Sequence, residues 1–356
     1  YAYCADNLAP TAGFDGTVPI DAARSGRRFE KYDPFRRLVS EVRYGWQAAR
    51  SVWRHRPNVH VVCNMPVVSG LLSWLIAVPT RTRFVVWYQD AQSEIASRSL
   101  PGLSARVLAF LETRLLRRAS VVVCISDALV DDARERGVKT ESVALLPNWA
   151  PIERLDDQRA HDSTPRTHTS GVRFTYSGTL ARKHDPSRLV SLAEAVQPLG
   201  GTVTVISEGE GAEFLRSECP DVTNLEVRDY LPFDRLPGEL AAADVLVVLL
   251  EAAAGAFSVP SKTLTYLCVG RPVLATMPVD NAAARLLTDE AGAGLVSDVA
   301  DRARFLTDAL ELAADPERRR ELGDAGRSYA EREFAAEVVA SRFRTAVRLA
   351  PHEAAR

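Results

Sequence analysis

The chain has 356 residues, 46% of them hydrophobic and 25% charged, with 44 Lys/Arg against 46 Asp/Glu. That length holds two domains of ordinary size, and the balance is that of a globular protein, not of a disordered or fibrous one. No apolar run reaches the roughly 18 to 20 residues that a membrane span needs, because the longest candidate, Leu71 to Pro79, runs straight into Arg81 and Arg83, and no stretch reads as a signal peptide.

In chain order, a strand-like piece at Tyr1 to Cys4 precedes an irregular Gly/Pro-containing stretch, Asn7 to Pro19, and an amphipathic helix from about Asp33 to Arg54. Val59 to Cys63 reads as a buried strand, Met65 to Ala77 as a helix and Arg83 to Tyr88 as a strand. A helix from about Leu103 to Arg118 follows, then strand Ser120 to Ile125, helix Ser126 to Arg136 and strand Ser142 to Leu146. Ser126 or Asp127 is placed to cap the helix it opens. A polar stretch, Asp156 to Ser170, reads as a linker. The pattern then restarts with strands Arg173 to Tyr176, Thr202 to Ile206, Asn224 to Val227, Asp244 to Leu250, Pro272 to Ala275 and Gly294 to Val296. Helices are expected at Pro186 to Gln197, Ser261 to Cys268, Asp301 to Ala314, Pro316 to Phe334 and Ala336 to Leu349. Continuous Val/Ile/Leu strands alternating with helices predict parallel sheets covered on both faces. The fold class is therefore α/β, with two doubly wound units in tandem. The expected domains are 1–155, a linker at 156–170, 171–334, and a terminal helical segment, 335–356, that crosses back to the first. Ligands of such sheets sit beyond the carboxyl ends of the strands.

The five cysteines, Cys4, Cys63, Cys124, Cys219 and Cys268, are far apart and read as buried, reduced thiols of a cytoplasmic protein. The six histidines have no metal-ligand spacing. The small net charge hides an asymmetry: residues 1–120 carry 17 Lys/Arg and 9 Asp/Glu, and the remainder 27 and 37. A basic front half suits an anionic partner, or is a solvated surface. Only four basic residues are lysine, Lys31, Lys139, Lys183 and Lys262. A lysine retained against such an arginine bias is a candidate phosphate ligand, since ammonium is a compact point charge and guanidinium a wide fork.

Four stretches could carry chemistry. Tyr176-Ser-Gly-Thr-Leu-Ala-Arg-Lys-His184 ends a strand at a glycine that permits close approach of a ligand and sets Arg182 and Lys183 at the strand's carboxyl end. An ordinary loop with two solvated cations reads the same way. Pro260-Ser261 opens a helix whose free N–H groups and dipole attract an anion. Lys262 in its first turn is unfavourable beside that dipole unless a diphosphate is bound. Ser207-Glu-Gly-Glu-Gly211 lacks the G-x-G-x-x-G order, because position 214 is Phe, and reads as a turn from strand into helix. Asp90 in Trp87-Tyr-Gln-Asp-Ala-Gln-Ser-Glu94 stands where a strand meets its loop, suited to orienting or deprotonating a hydroxyl, or to capping a helix. No Asp-x-Asp, Walker loop or G-x-S-x-G occurs. Phosphate charge would then fall to Lys, Arg and backbone N–H groups, with no metal and no cofactor.

With these residues the chain resembles a retaining glycosyltransferase of the large family 4, of GT-B fold, over nearly its whole length. It is most similar to the subgroup of colanic-acid and N-acetylfucosamine transferases. The matching pieces are Trp87-Tyr-Gln-Asp90, Leu146-Pro-Asn-Trp149, Tyr176-Ser-Gly-Thr179 with Lys183, Ser207-Glu-Gly209, Ala241 to Asp244, and Val259-Pro-Ser-Lys262 through Gly270-Arg-Pro-Val273. The resemblance implies a nucleotide-diphosphate sugar, UDP-linked by preference, held by the second domain. Its diphosphate would lie on Gly178, Thr179, Arg182, Lys183, Ser261 and Lys262. Nucleoside and sugar contacts would come from Glu208, Tyr230, Leu231, Pro232, Phe257, Ser258 and Thr265. Transfer would be metal-independent, with the diphosphate leaving on the face that the acceptor attacks and Asp90 as the catalytic residue. The acceptor would be lipid-linked or a growing polysaccharide of a bacterial surface.

The chain departs from that pattern in places. The Arg usual after Gly178 is Thr179, so Arg182 or Lys262 would supply that charge. The Glu-x7-Glu motif is missing, its second Glu falling at Thr265 and its first near Phe257, while Glu251 is nearby but out of register. A first strand and a Gly-rich loop would precede the point where this sequence begins. Two other readings share the fold: a nucleotide-sugar 2-epimerase and a non-catalytic nucleotide-sugar-binding protein. Nothing points to nucleic acid. The helix near Asp33 to Arg54, with Arg36, Arg37, Arg43, Arg50 and Arg54 beside Phe35, Trp46 and Trp53, suits peripheral contact with an anionic membrane, at the inner face of the plasma membrane.

Overall fold

The computed structural model of the chain describes residues 2–5, 20–23, 34–97, 102–148, 150, 171–232, 235–252 and 260–349, with side chains at 2–5, 20–23, 34–37, 95 and 349 outside that description. The expected linker at 156–170, the stretch Asn7 to Pro19, and Phe257 and Ser258 lie outside the described residues. So do Trp149, Phe233 and Val259 and the side chains of Phe35, Arg36 and Arg37. The chain divides into two compact units, Tyr1–Leu146 with Phe343–Arg356, and Pro147–Arg342.

In the first unit, β1 (Ala2–Ala5) and β2 (Ile20–Ala23) pair in parallel. A separate four-stranded parallel sheet runs in the order β3 (Val59–Cys63), β4 (Arg83–Tyr88), β5 (Val121–Cys124), β6 (Val143–Leu145). The Val-rich β4 and β5 are buried, whereas the edge strands β3 and β6 expose Val61 and Leu145. Strands paired in chain order through right-handed crossovers carry their connecting helices on one face. These helices are α2 (Val67–Ala77), α3 (Gln92–Ser97), α4 (Gly102–Arg118) and α5 (Asp127–Glu135). The preceding helix α1 (Pro34–His55) packs on α2. A Cβ at Gly45 would lie 2.6 Å from Ser69 Cα, and one at Gly70 2.9 Å from Leu115 Cδ2, so α1 and α4 both sit close against α2. Ser126 caps α5, its hydroxyl accepting from the Leu129 N–H at 3.4 Å.

The second unit holds a six-stranded parallel sheet in the order β12-β11-β10-β7-β8-β9. Its strands are β7 (Arg173–Ser177), β8 (Thr202–Ile206), β9 (Leu225–Arg228), β10 (Val245–Leu249), β11 (Val273–Thr276) and β12 (Gly294–Ser297). All of Val245–Leu249 is buried, as continuous apolar runs in a sheet covered on both faces should be. The helices are α6 (Ser187–Val196), α7 (Glu210–Glu218), α8 (Leu236–Ala241), α9 (Ser261–Val269), α10 (Ala282–Arg285), α11 (Arg302–Ala314) and α12 (Pro316–Glu333), and the last helix, α13 (Ala336–Leu349), begins in this unit and belongs to the first from Phe343 onward. One core lies beneath α9 and α12, the other beneath α6 and α11.

Most expected elements stand within two residues of their predicted bounds. Helix α7 was expected only as the helix into which Ser207–Gly211 turns, and the short helices α3, α8 and α10 and the strand β2 were not expected. Each of these short elements spans too few residues to display a periodicity. Cys124 and Cys268 are buried free thiols, but of those expected to be buried Cys63 is exposed at the end of an edge strand and Cys219, just past α7, is only partly covered.

Candidate functional site

In the second unit the first strand, β7, lies between β8 and β10, so the chain winds outward in both directions from this pair. This is the topological switch point of a doubly wound sheet, and a crevice opens there beyond the strand ends. The segment after β7 begins at Gly178, and that after β10 at Leu250-Glu251.

Gly178 has φ +115°, a conformation that side-chain-bearing residues avoid. Its N–H donates to the Ile206 carbonyl at 3.1 Å, and Leu180 N–H donates to the Glu208 carbonyl at 3.1 Å. The Leu180 carbonyl accepts from Gly211 N–H at 2.8 Å. A Cβ at Gly211 would meet that carbonyl oxygen at 2.7 Å. The glycines of Ser207–Gly211 therefore let two loops zip together as the chain enters α7, and Glu208 is exposed at the junction.

Helix α9 is fixed against the sheet from both ends. Gly270 closes it in the left-handed conformation at φ +71°. Arg327 of α12 donates to the Cys268 carbonyl at 2.7 Å. Near the start, the buried Tyr266 hydroxyl accepts from the Ser177 N–H at 2.9 Å, tying α9 to the end of β7. One turn earlier on that face, Lys262 extends its ammonium over the Tyr176 ring, 3.9 Å from the centroid. A Cβ at Gly178 would stand 3.0 Å from Lys262 Nζ. Burial pulls the Lys262 ammonium from its ordinary 10.5 down to about 7. Ser261 is exposed at the helix start, and Thr265, partly covered, directs its hydroxyl toward the Ser261 carbonyl at 3.5 Å.

Lys183 and His184 stand on a single 3-10 turn, Arg182–His184. Lys183 Nζ pairs with Glu251 Oε1 at 2.7 Å, with Lys183 59% and Glu251 22% exposed. His184 Nδ1 accepts from Ala181 N–H at 3.2 Å, which sets the neutral tautomer with its proton on Nε2. Burial holds the imidazole below its ordinary value, and Lys183 and Lys262 push it further down. Glu251 opposes them. The two lysines, expected to share a ligand, thus act electrostatically on one imidazole at one corner of the unit. Arg182 is exposed and lies over the Phe214 ring at 5.2 Å. Thr179 and Tyr230 join hydroxyls at 2.6 Å, bringing the segment after β9 to the segment after β7. Leu231 is partly exposed, and the Pro232 carbonyl accepts from Arg235 N–H at 2.9 Å where α8 begins. Sequence reasoning did not single out Tyr266, the Tyr176 ring or His184 as parts of this corner. Tyr266, spaced one helical turn from Lys262, was the available signal.

In the first unit, Asp90 is exposed just past β4. It lines a cavity with Asn64, Met65, Gln89 and Gln92. Beneath it lies a buried network. Glu112, 3% exposed, accepts from the N–H groups of Gln92 at 2.8 Å and Ser93 at 3.1 Å and from the Ser93 hydroxyl. Arg136 pairs with Glu112 at 3.3 Å and with Asp132 at 2.7 Å, and Tyr88 donates to Asp132 at 2.7 Å. A carboxylate of α4 thereby caps α3 and holds the segment that follows Asp90.

Each unit holds a parallel α/β sheet, and the second is doubly wound with its polar corner at the switch point, which is the arrangement of the GT-B fold class. Residues 9–149 match the glycosyl transferase 4-like domain. WcaI of Escherichia coli (strain K12), whose name assigns it to colanic acid biosynthesis as a glycosyl transferase, is 23% identical over 235 residues, 62% of this chain and 57% of that protein. The GDP-mannose-dependent monoacylated alpha-(1-6)-phosphatidylinositol monomannoside mannosyltransferase of Corynebacterium glutamicum is 25% identical over 209 residues, 55% of this chain and 54% of that protein. The chain thus spans little more than half the length of these curated relatives. Among solved structures, HepE of Anabaena in complex with UDP superposes with a TM-score of 0.70 at 12% identity, over 93% of this chain and 86% of that one. The likeness to solved structures gives the chain the GT-B fold, and residues 9–149, less than half of it, match the glycosyl transferase 4-like domain.

Proposed function

We propose that the protein transfers a sugar from a nucleotide-diphosphate sugar, UDP-linked by preference, to a lipid-linked or polysaccharide acceptor in surface-glycan synthesis. The observation that carries this reading is the placing of two lysines beyond the end of β7: Lys262 Nζ lies 3.0 Å from where a Cβ of Gly178 would stand, and Lys183, five residues past that glycine, reaches across to Glu251 beyond β10 at 2.7 Å. A diphosphate there would find Lys262 beside a glycine that leaves room for it, the first-turn N–H groups of α9, and Lys183 within a side chain's reach. Such an arrangement neutralises a leaving diphosphate with side-chain cations and amide dipoles, so the proposed transfer needs no metal. The nucleotide diphosphate would leave from the face of the sugar that the acceptor attacks, as the bond from C1 to the acceptor oxygen replaces the bond to phosphate, giving retention. Asp90 would orient the acceptor hydroxyl. UDP in the HepE complex and the polysaccharide and lipid substrates in the names of the relatives support the substrate classes. The mannosyltransferase is GDP-dependent by name, so the nucleotide is tested directly.

Calorimetric titration of the full chain with UDP and with GDP is the test. Binding is expected for UDP, more weakly for GDP. Lys183→Ala and Lys262→Ala should each cost about 1 to 3 kcal/mol of affinity, the range for a charge-assisted contact. Unchanged affinity in both variants would remove the site.

A further inference from the structure

We infer that Lys262 is a modification site, the acceptor of an acyl group from a small acyl phosphate. Of the four lysines, Lys31 lies outside the described residues, Lys139 is exposed, and Lys183 is more than half exposed and paired with Glu251 at 2.7 Å. Lys262 is held in another way. It stands in the first turn of α9 and is partly covered. Its Nζ lies 3.9 Å from the centroid of the Tyr176 ring. That ring is buried and fixed at its far end, where the hydroxyl donates to the Thr179 carbonyl at 3.0 Å. Among the described residues Lys262 meets no carboxylate and no hydrogen-bond acceptor, only the ring face. Gly178, at φ +115°, keeps one approach to the amine clear, since a Cβ there would stand 3.0 Å from Nζ.

An amine in this position lacks the carboxylate and much of the water that keep an ordinary ammonium charged. The titratable groups around it, among the described residues, are Tyr176 on β7, Tyr266 on α9, Lys183 and His184 on the 3-10 turn, and Glu251 beyond β10. Burial raises both phenols, so they stay neutral, and the one acid is engaged by Lys183. Near neutrality, with Lys262 brought to about 7, a large share is free base, the nucleophilic form. An acyl phosphate carries an anionic leaving group, which suits the dipole at the start of α9 and the ammonium of Lys183. An uncharged ester has nothing to place there. In the step, the Nζ lone pair forms a bond to the acyl carbon. The bond from that carbon to the phosphate oxygen breaks, inorganic phosphate leaves with the electron pair, and one proton passes from nitrogen to solvent. The product is a neutral amide on Lys262. It removes a charge and adds bulk beside Gly178. Loss of donor binding follows if the diphosphate lies here, as proposed above, whereas the acylation itself needs only a phosphate.

The experiment treats the full chain with acetyl phosphate and follows acetylation of each lysine by mass spectrometry after digestion. At about pH 7.5 Lys262 should react roughly tenfold or more faster than Lys139 and Lys183. Its rate should level off above about pH 7, whereas an ordinary exposed amine keeps gaining up to about pH 10. Inorganic phosphate should protect it. The uncharged ester 4-nitrophenyl acetate should select Lys262 less sharply, and Lys183→Ala should lower the selectivity of acetyl phosphate about threefold or more. Unaltered far-UV circular dichroism reports that the variant folds. Acetylation of Lys262 no faster than of Lys139 overturns the proposal, as does equal selectivity from the uncharged ester or a failure of phosphate to protect. Calorimetry with UDP reads the consequence separately. Treatment should weaken UDP binding to the parent about tenfold or more. Lys262→Arg, which offers no amine to acylate, should keep after treatment whatever affinity it had before. Absence of UDP binding by the untreated chain would overturn the donor reading alone, and the acetylation pattern would still decide the modification.

Discussion

The ammonium of Lys262 occupies the space that a side chain at Gly178 would need, with Nζ 3.0 Å and Cε 3.1 Å from an ideal Cβ there. Gly178→Ala should therefore act twice. At φ +115° an alanine is strained, and its methyl would push Lys262 off the Tyr176 ring. The expected cost is about 1 to 3 kcal/mol of stability in urea unfolding, with UDP affinity falling as well. A variant as stable as the parent and binding UDP equally would show that the contact between these two positions has no consequence.

Lys262 also predicts a pH dependence. Its folded value of about 7 lies below the ordinary 10.5, so between these values the unfolded chain binds more protons than the folded one. Stability attributable to this group should rise as pH climbs from about 7 toward 10.5. Lys262→Met should remove that rise, shifting the difference between parent and variant by about 2 kcal/mol between pH 7 and pH 9.5, as followed by urea unfolding. Bound diphosphate favours the ammonium, so UDP binding should take up a proton above about pH 7. Calorimetry in two buffers of different ionisation enthalpy would detect it, and the variant should lack it.

Lys183 is held differently. Its partner Glu251 is 2.7 Å away, but the lysine is more than half exposed. Such a pair contributes little to stability, so Glu251→Gln should alter the unfolding midpoint by less than about 1 kcal/mol. In the proposed donor complex the carboxylate competes with diphosphate for the same ammonium. Neutralising it should tighten UDP binding by roughly twofold to tenfold. Weaker binding in calorimetry would instead assign Glu251 to positioning Lys183.

The features that sequence made legible are those with local physical signatures. Arg83–Tyr88 and Thr202–Ile206 form strands at their expected bounds because runs of apolar and β-branched residues fit a buried sheet, whereas Val59–Cys63, expected to be buried, keeps its bounds at a sheet edge with Val61 and Cys63 exposed. Lys262 stood out as a lysine kept in an arginine-rich chain at a Pro-Ser helix start. Its burial beside Gly178 did not, because Gly178 and Lys262 meet only when the strand and helix pack. Tyr266 bonds Ser177 across 89 positions of sequence, and Lys183 reaches Glu251 across 68. No window of local periodicity contains either pair. Glu251 looked out of register when counted from Gly270, yet its place beyond β10 at the switch point brings it to Lys183. The glycines after β8 form the expected turn from strand into helix, but their reason, the approach of Leu180, needed the paired loops.

The buried Glu112 supplies the last prediction. Its oxygens satisfy the first N–H groups of α3 and face Arg136, so they replace the water that an exposed helix start would use. Glu112→Ala would leave those donors without a partner and Arg136 short of one of its two carboxylates. The expected loss is about 3 to 5 kcal/mol in urea unfolding, the range for a broken buried pair. Arg136→Ala should cost a similar amount, because Asp132 and Glu112 then face each other's charge with no cation between them. The double variant should lose less than the sum, since the second substitution removes a group already stranded by the first. Strict additivity would mean that the two side chains do not act as one network. Asp90 lies outside this network and is exposed, so Asp90→Asn should leave stability within about 0.5 kcal/mol of the parent. In the proposed reaction it should nevertheless lower turnover, which separates the residue meeting the acceptor from the scaffold that holds its loop.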